Sequence, residues 1–207
     1  MRSTRTVIRR ACLAAVALSA ALTLTACGGD SDDSGSAASS PSVSAAETSA
    51  GTHNAQDVSF AQGMIPHHQQ AVEMAGLAAD RASSPEVKDL AARIEKAQGP
   101  EIETMSGWLR TWGKKVPEAM PGMDHSAHSG MAGMMDSADM EKLGKASGKD
   151  FDSMFLTMMV EHHEGAVEMA GTEKAKGEDQ AATAMAGDIV TTQKAEISEM
   201  KKLLGEN

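Results

Sequence analysis

FAQGMIPHHQQAVEMAG, Phe60 to Gly76, and FLTMMVEHHEGAVEMAG, Phe155 to Gly171, are near copies set 95 residues apart. Each places a Met three residues before a His-His pair: Met64 before His67 and His68, and Met159 before His162 and His163. At about 100° per residue, Phe60, Met64, His67, His68, Ala71, Met74, Ala75 and Ala78 share one helix face, with Glu73 opposite. The second copy repeats that face with Phe155, Met159, His162, His163, Ala166, Met169 and Ala170. Both stretches read as helices whose inward stripe carries imidazole and thioether.

The correspondence continues downstream. Asp57, Ile94, Gln98, Glu101, Ile102, Met105 and Leu109 align at the same offset with Asp152, Ile189, Gln193, Glu196, Ile197, Met200 and Leu204. A repeat of roughly fifty residues with helical periodicity is a helix hairpin, and two hairpins make a four-helix bundle. The expected fold is all-α, with hairpins over residues 54–113 and 150–205 and a connector over 114–149. The local signals agree with this division. Asn54 with Asp57 three residues on starts the first helix, which runs to about Asp80. Ser84-Pro85-Glu86 opens the second, ending at Gly113. The third runs from about Asp150 to Lys176, with Gly177 past its end, and the fourth from about Asp179 to Leu204. Gly99-Pro100 breaks the pattern inside the second helix and predicts a kink there.

On the second helix Leu90, Ile94, Gln98, Glu101, Met105, Trp108 and Trp112 share a face. Glu101 therefore enters an apolar stripe, where a carboxylate needs a partner. An inward imidazole of the first helix is the obvious one, and Gln193 and Glu196 repeat the arrangement. Two chemistries stay open for the core. Met residues fill irregular gaps, and for Met74, Met169, Met185 and Met200 packing is the plain reading. A Met at i and a His at i+3 or i+4 can also reach one ion from neighbouring turns. Met64, His67, His68, Met159, His162 and His163 are then candidate ligands. Gln98, Glu101, Met105, Gln193, Glu196 and Met200 would orient the imidazoles or act as alternative ligands.

The connector adds Met120, Met123, His125, His128, Met131, Met134 and Met135 in a Gly- and Ser-rich setting without a helical stripe. Either this is a low-complexity tether or it is a coordination strand exposed to solvent. Thioethers take Cu(I) and Ag(I), and imidazole also takes Cu(II). Copper, with Cu(I) preferred, is the expected cargo.

At the other end, Arg2, Arg5, Arg9 and Arg10 precede the apolar run Ala11 to Leu24, which suits a signal peptide and is too short for a permanent span. Leu24-Thr25-Ala26-Cys27 closes it and resembles the lipobox of bacterial lipoproteins. That resemblance implies removal of residues 1–26 and acylation of Cys27. Residues 27–53 then form a polar tether with a reach of about 28 Å. Cys12 would leave with the signal, so the folded part has no thiol for a disulfide or a thiolate site. Residues 1–26 hold four of the 19 basic residues and none of the 29 acidic ones, so the remainder has 15 against 29, a net charge of −14. Nucleic acid is an unsuitable partner for such a surface. The expected partners are a metal ion, the membrane through the anchor, and a copper-accepting protein or a second copy of this chain.

The repeated segments FAQGMIPHHQQAVEMA and FLTMMVEHHEGAVEMA, with Gln193, Glu196, Ile197 and Met200, resemble the domain of unknown function 305 family over about residues 53–205. Membership implies a ferritin-like four-helix bundle in an exported or lipid-anchored bacterial protein and, for some relatives, copper binding or tolerance. It implies no known reaction. An extracytoplasmic copper-binding protein is one expectation. A structural or signalling lipoprotein with buried His–Glu pairs is the second. A di-iron enzyme is the third, and it lacks the Glu-x-x-His motif such sites use, because Met stands at that position before His67 and His162.

Overall fold

The computed structural model describes residues 52–118 and 131–206. Among the described residues five helices follow one another: α1 (Ala55–Arg81), α2 (Pro85–Thr111), α3 (Ser137–Lys145), α4 (Gly148–Lys176) and α5 (Gln180–Leu203). Helices α1 and α2 form one hairpin and α4 and α5 the other, and the hairpins pack chiefly through α1 against α4. Among the described residues no helix is long and apolar enough to cross a membrane.

The helix ends follow from their caps. Asn54 accepts from the amides of Gln56 and Asp57, and the Asp57 carboxylate accepts from the Asn54 amide at 2.6 Å. Ser84 caps α2 and Asp179 caps α5, with Pro85 in the first turn of α2, where its missing N–H costs nothing. The sequence repeat becomes a reciprocal clasp. Asp152 on α4 accepts from the amides of Ser83 and Ser84, each at 3.0 Å, in the α1–α2 turn. Its counterpart Asp57 on α1 accepts from the amides of Glu178 and Asp179, at 3.1 and 3.0 Å, in the α4–α5 turn. Each hairpin thus closes the other's turn, which sets α1 antiparallel to α4.

Helix α2 runs through the Gly99-Pro100 pair, where the sequence predicts a kink, and continues to Thr111. Pro100 is exposed and the carbonyl it frees belongs to the exposed Lys96, where water can bond it. A second internal proline, Pro66, lies within α1. The 114–149 stretch is also more than a connector, because it contains α3. Asp136 caps that helix, Leu143 is fully buried, and Met140 packs beside it against the core. The spacing Met140 to Leu143 carried that signal, but one turn of stripe is short.

The apolar core falls into two clusters. One holds Ala71 and Met74 of α1 with Phe155 and Met159 of α4, and the other holds Met64 and Ile65 of α1 with Ala166 and Ala170 of α4. Along both helices the boundary between them is the His-His pair. A polar layer therefore separates two apolar halves.

Near one end of the bundle, Gly177 leaves room for a buried carboxyl. A Cβ there would meet Glu173 Oε1 at 2.2 Å and Asp57 Oδ1 at 2.8 Å. Burial first, then the adjacent Asp57 carboxyl, pushes Glu173 up to about 8. Its ordinary value is 4.5, so between that pH and about 8 the unfolded chain releases a proton that the folded chain keeps. Stability falls as pH rises through this window, by at most about 1.4 kcal/mol per unit. Glu173→Gln should flatten that slope, and melting temperatures of both proteins from pH 5 to 9 check it.

Candidate metal centre

Adjacent positions on a helix diverge by about 100°, and the structure uses this to give each His of a pair a different neighbour. His68 donates through Nε2 to Glu101 Oε2 at 2.8 Å, and His163 donates through Nε2 to Glu196 Oε2 at 2.7 Å. These pairs lie within their own hairpins and stand at equivalent repeat positions. His67 and His162 instead meet across the α1–α4 interface, with ring centroids 3.8 Å apart and planes inclined at 43°. All four rings are at most 1% exposed.

Burial, then the charge of His68, lowers His67 to about 3, against the raising effect of the Ala132 carbonyl. Burial and the neighbouring imidazoles hold His162 well below the usual range, against the raising effect of the His67 backbone. Both rings are neutral at neutral pH and keep a lone pair. His67 Nε2 lies 3.2 Å from the Ala132 carbonyl oxygen, so it carries the hydrogen and Nδ1 carries the lone pair. Nδ1 of His67, His68, His162 and His163 has no hydrogen-bond partner, and neither has Nε2 of His162. A buried polar atom without a partner costs about 1–3 kcal/mol. In His67, His68 and His163 the other ring nitrogen is tied to a carbonyl or carboxylate, the arrangement that orients metal-ligating imidazoles.

Ala132 belongs to a strap that the sequence did not reveal. Gln70 donates through Nε2 to the Met135 carbonyl at 2.9 Å and accepts from the Met135 amide at 2.8 Å. Gly133, at φ +80°, presses onto Gly165, where a Cβ would meet the Ala132 oxygen at 2.0 Å. Gln70 and Gly165 occupy equivalent repeat positions. One copy supplies the amide clamp and the other the empty space, so a single strap can cross a two-fold framework.

This changes the reading of the connector's Met residues as wholly exposed. Met135 is buried in the core, while Met131 and Met134 are half-buried. Met120, Met123, His125 and His128 lie outside the described residues, as do the expected signal segment, Cys27 and most of the expected tether. In the core, Met64, Met159, Met105 and Met200 are fully buried among apolar side chains. Met74 is buried too, whereas Met169 and Met185 are half-buried. Gln98 and Gln193 are buried with no partner for Oε1. Among the described residues no three His, Cys, Asp or Glu come together to hold a metal. Any ion held there by three or more side chains would need a further donor beside the imidazoles, such as thioether sulfur or an amide oxygen.

A duplicated-hairpin four-helix bundle with an imidazole layer at its waist defines the class of protein. The chain belongs to the DUF305 family, a domain of unknown function, whose model matches residues 57–204. A DUF305 protein from Streptomyces coelicolor is similar in structure, with 37% identity, a TM-score of 0.65, and coverage of 72% of this chain and 92% of that one. CopM in its Cu(II)-bound form shares 39% identity with a TM-score of 0.62, over 72% of this chain and 95% of CopM. CopM in its Cu(I)-bound form shares 35% identity with a TM-score of 0.59, over 71% of this chain and 94% of CopM. No curated protein matches the chain.

Proposed function

We propose that this chain is an extracytoplasmic copper-binding protein, anchored through lipid on Cys27, that sequesters copper or delivers it to an acceptor protein. The observation that carries the reading is the buried imidazole layer, with Nδ1 of all four rings free of partners. Neutral imidazole and thioether are the ligands that suit Cu(I), and Cu(II) is accessible through imidazole. Similarity to CopM, solved with Cu(I), Cu(II) and silver, supports the same cargo. The Met/His-rich stretch from Met120 to Met135 would serve as the capture strand and the bundle as the store. The anchor reading rests on Leu24 to Cys27 and the tether behind them.

The His68–Glu101 and His163–Glu196 pairs favour a second reading, a structural lipoprotein whose imidazoles need no metal. Thermal melting separates the two. Cu(I) held at 100 times its Kd adds about 2.7 kcal/mol, which in a domain of this size raises Tm by roughly 5–10 °C. Equal melting of metal-free and Cu(I)-treated protein would support the structural reading.

A further inference from the structure

We propose that Met131 and Met169 form a two-thioether site for a soft monovalent ion, Cu(I) or Ag(I), at the mouth of the imidazole layer; this deepens the copper reading and rests on it. The two sulfurs, one from the strap and one from α4, lie 3.8 and 3.7 Å from the position a Cβ on Gly63 would take. They converge over one point of α1. Gly63 sits inside a helix, where glycine is unfavourable, and its repeat equivalent is Met158, a buried side chain. The first copy therefore lacks a side chain where the second has one, and two thioethers from elsewhere border the space.

The position also has a route inward. Gly63 is one turn before His67 on the same face of α1, and Met131 directly precedes Ala132, whose carbonyl holds His67 Nε2 at 3.2 Å. Both Met residues are half-exposed while His67 is fully buried. An ion arriving from solvent meets sulfur first and imidazole second. The Gln70 clamp on Met135 and the Gly133–Gly165 contact fix the strap, so Met131 is positioned before any ion binds.

Filling space requires only volume, and leucine supplies it without a donor. The test is titration of the full chain with Cu(I) under chelator control, and separately with Ag(I), following 13C-labelled Met methyl resonances. The variants are Met131→Leu, Met169→Leu, the double variant, and Met185→Leu as a half-buried control. The methyls of Met131 and Met169 should move together at the earliest additions. Either Leu should weaken this step at least about tenfold, the double variant little further, and Met185→Leu not at all. If His67 and His162 resonances shift while those two methyls stay still, the thioether site is wrong and the copper reading survives. If no His or Met resonance responds, both fall.

Discussion

His162→Phe should melt at or above the temperature of the metal-free parent while losing Cu(I) affinity by about 100-fold or more. Both ring nitrogens of His162 are buried and neither makes a well-formed hydrogen bond. A phenyl ring keeps the tilted ring contact with His67 and removes two unsatisfied atoms, each costing about 1–3 kcal/mol. A side chain that opposes stability when metal-free, and sits where two repeats meet, has its use in what it binds. His68→Phe should behave differently, because it strips Glu101 of its imidazole and leaves the carboxylate against an apolar ring. Melting curves and chelator competition on the two variants check the contrast. A His162→Phe protein that binds Cu(I) as tightly as the parent would remove the interface pair from the site.

The other large effect concerns the strap. Gly165→Ala should release residues 131–135 from the bundle, since the new methyl would lie 2.0 Å from the Ala132 oxygen and 3.0 Å from Gly133 Cα. Three hydrogen bonds would be lost, one to His67 and two to Gln70. At about 1 kcal/mol each, the loss outweighs the roughly 1 kcal/mol that alanine gains in a helix. Net destabilisation should be about 1–2 kcal/mol. The sharper sign is local, because the Met135 amide should exchange with solvent many times faster. Unchanged exchange at Met135 would mean that the strap is held by other contacts.

The four long helices were legible because their signals are local. Asn54 and Ser84 bond to amides two or three residues away, and the stripe of α1 repeats every turn. The His–Glu pairing was legible too, since the imidazoles and carboxylates shared inward faces of adjoining helices. The reciprocal clasp is not legible from the alignment of Asp57 with Asp152, because its acceptors and donors lie on different hairpins. The strap was missed for a related reason. Its partners Gln70 and Met135 are 65 residues apart, and neither belongs to an apolar period. Its signal lay in the disagreements between the copies. Gln70 against Gly165 and Gly63 against Met158 mark where the two-fold is broken to admit one extra segment. Repeat comparison rewards matches, and here the mismatches surround the candidate site.

X-ray absorption at the copper edge of the Cu(I)-loaded protein tests the central claim most directly. The folded part has no thiol if Cys12 is removed and Cys27 acylated, so any sulfur around copper comes from Met. A mixed shell of imidazole nitrogen and thioether sulfur is the predicted result. A shell of nitrogen and oxygen alone would contradict it.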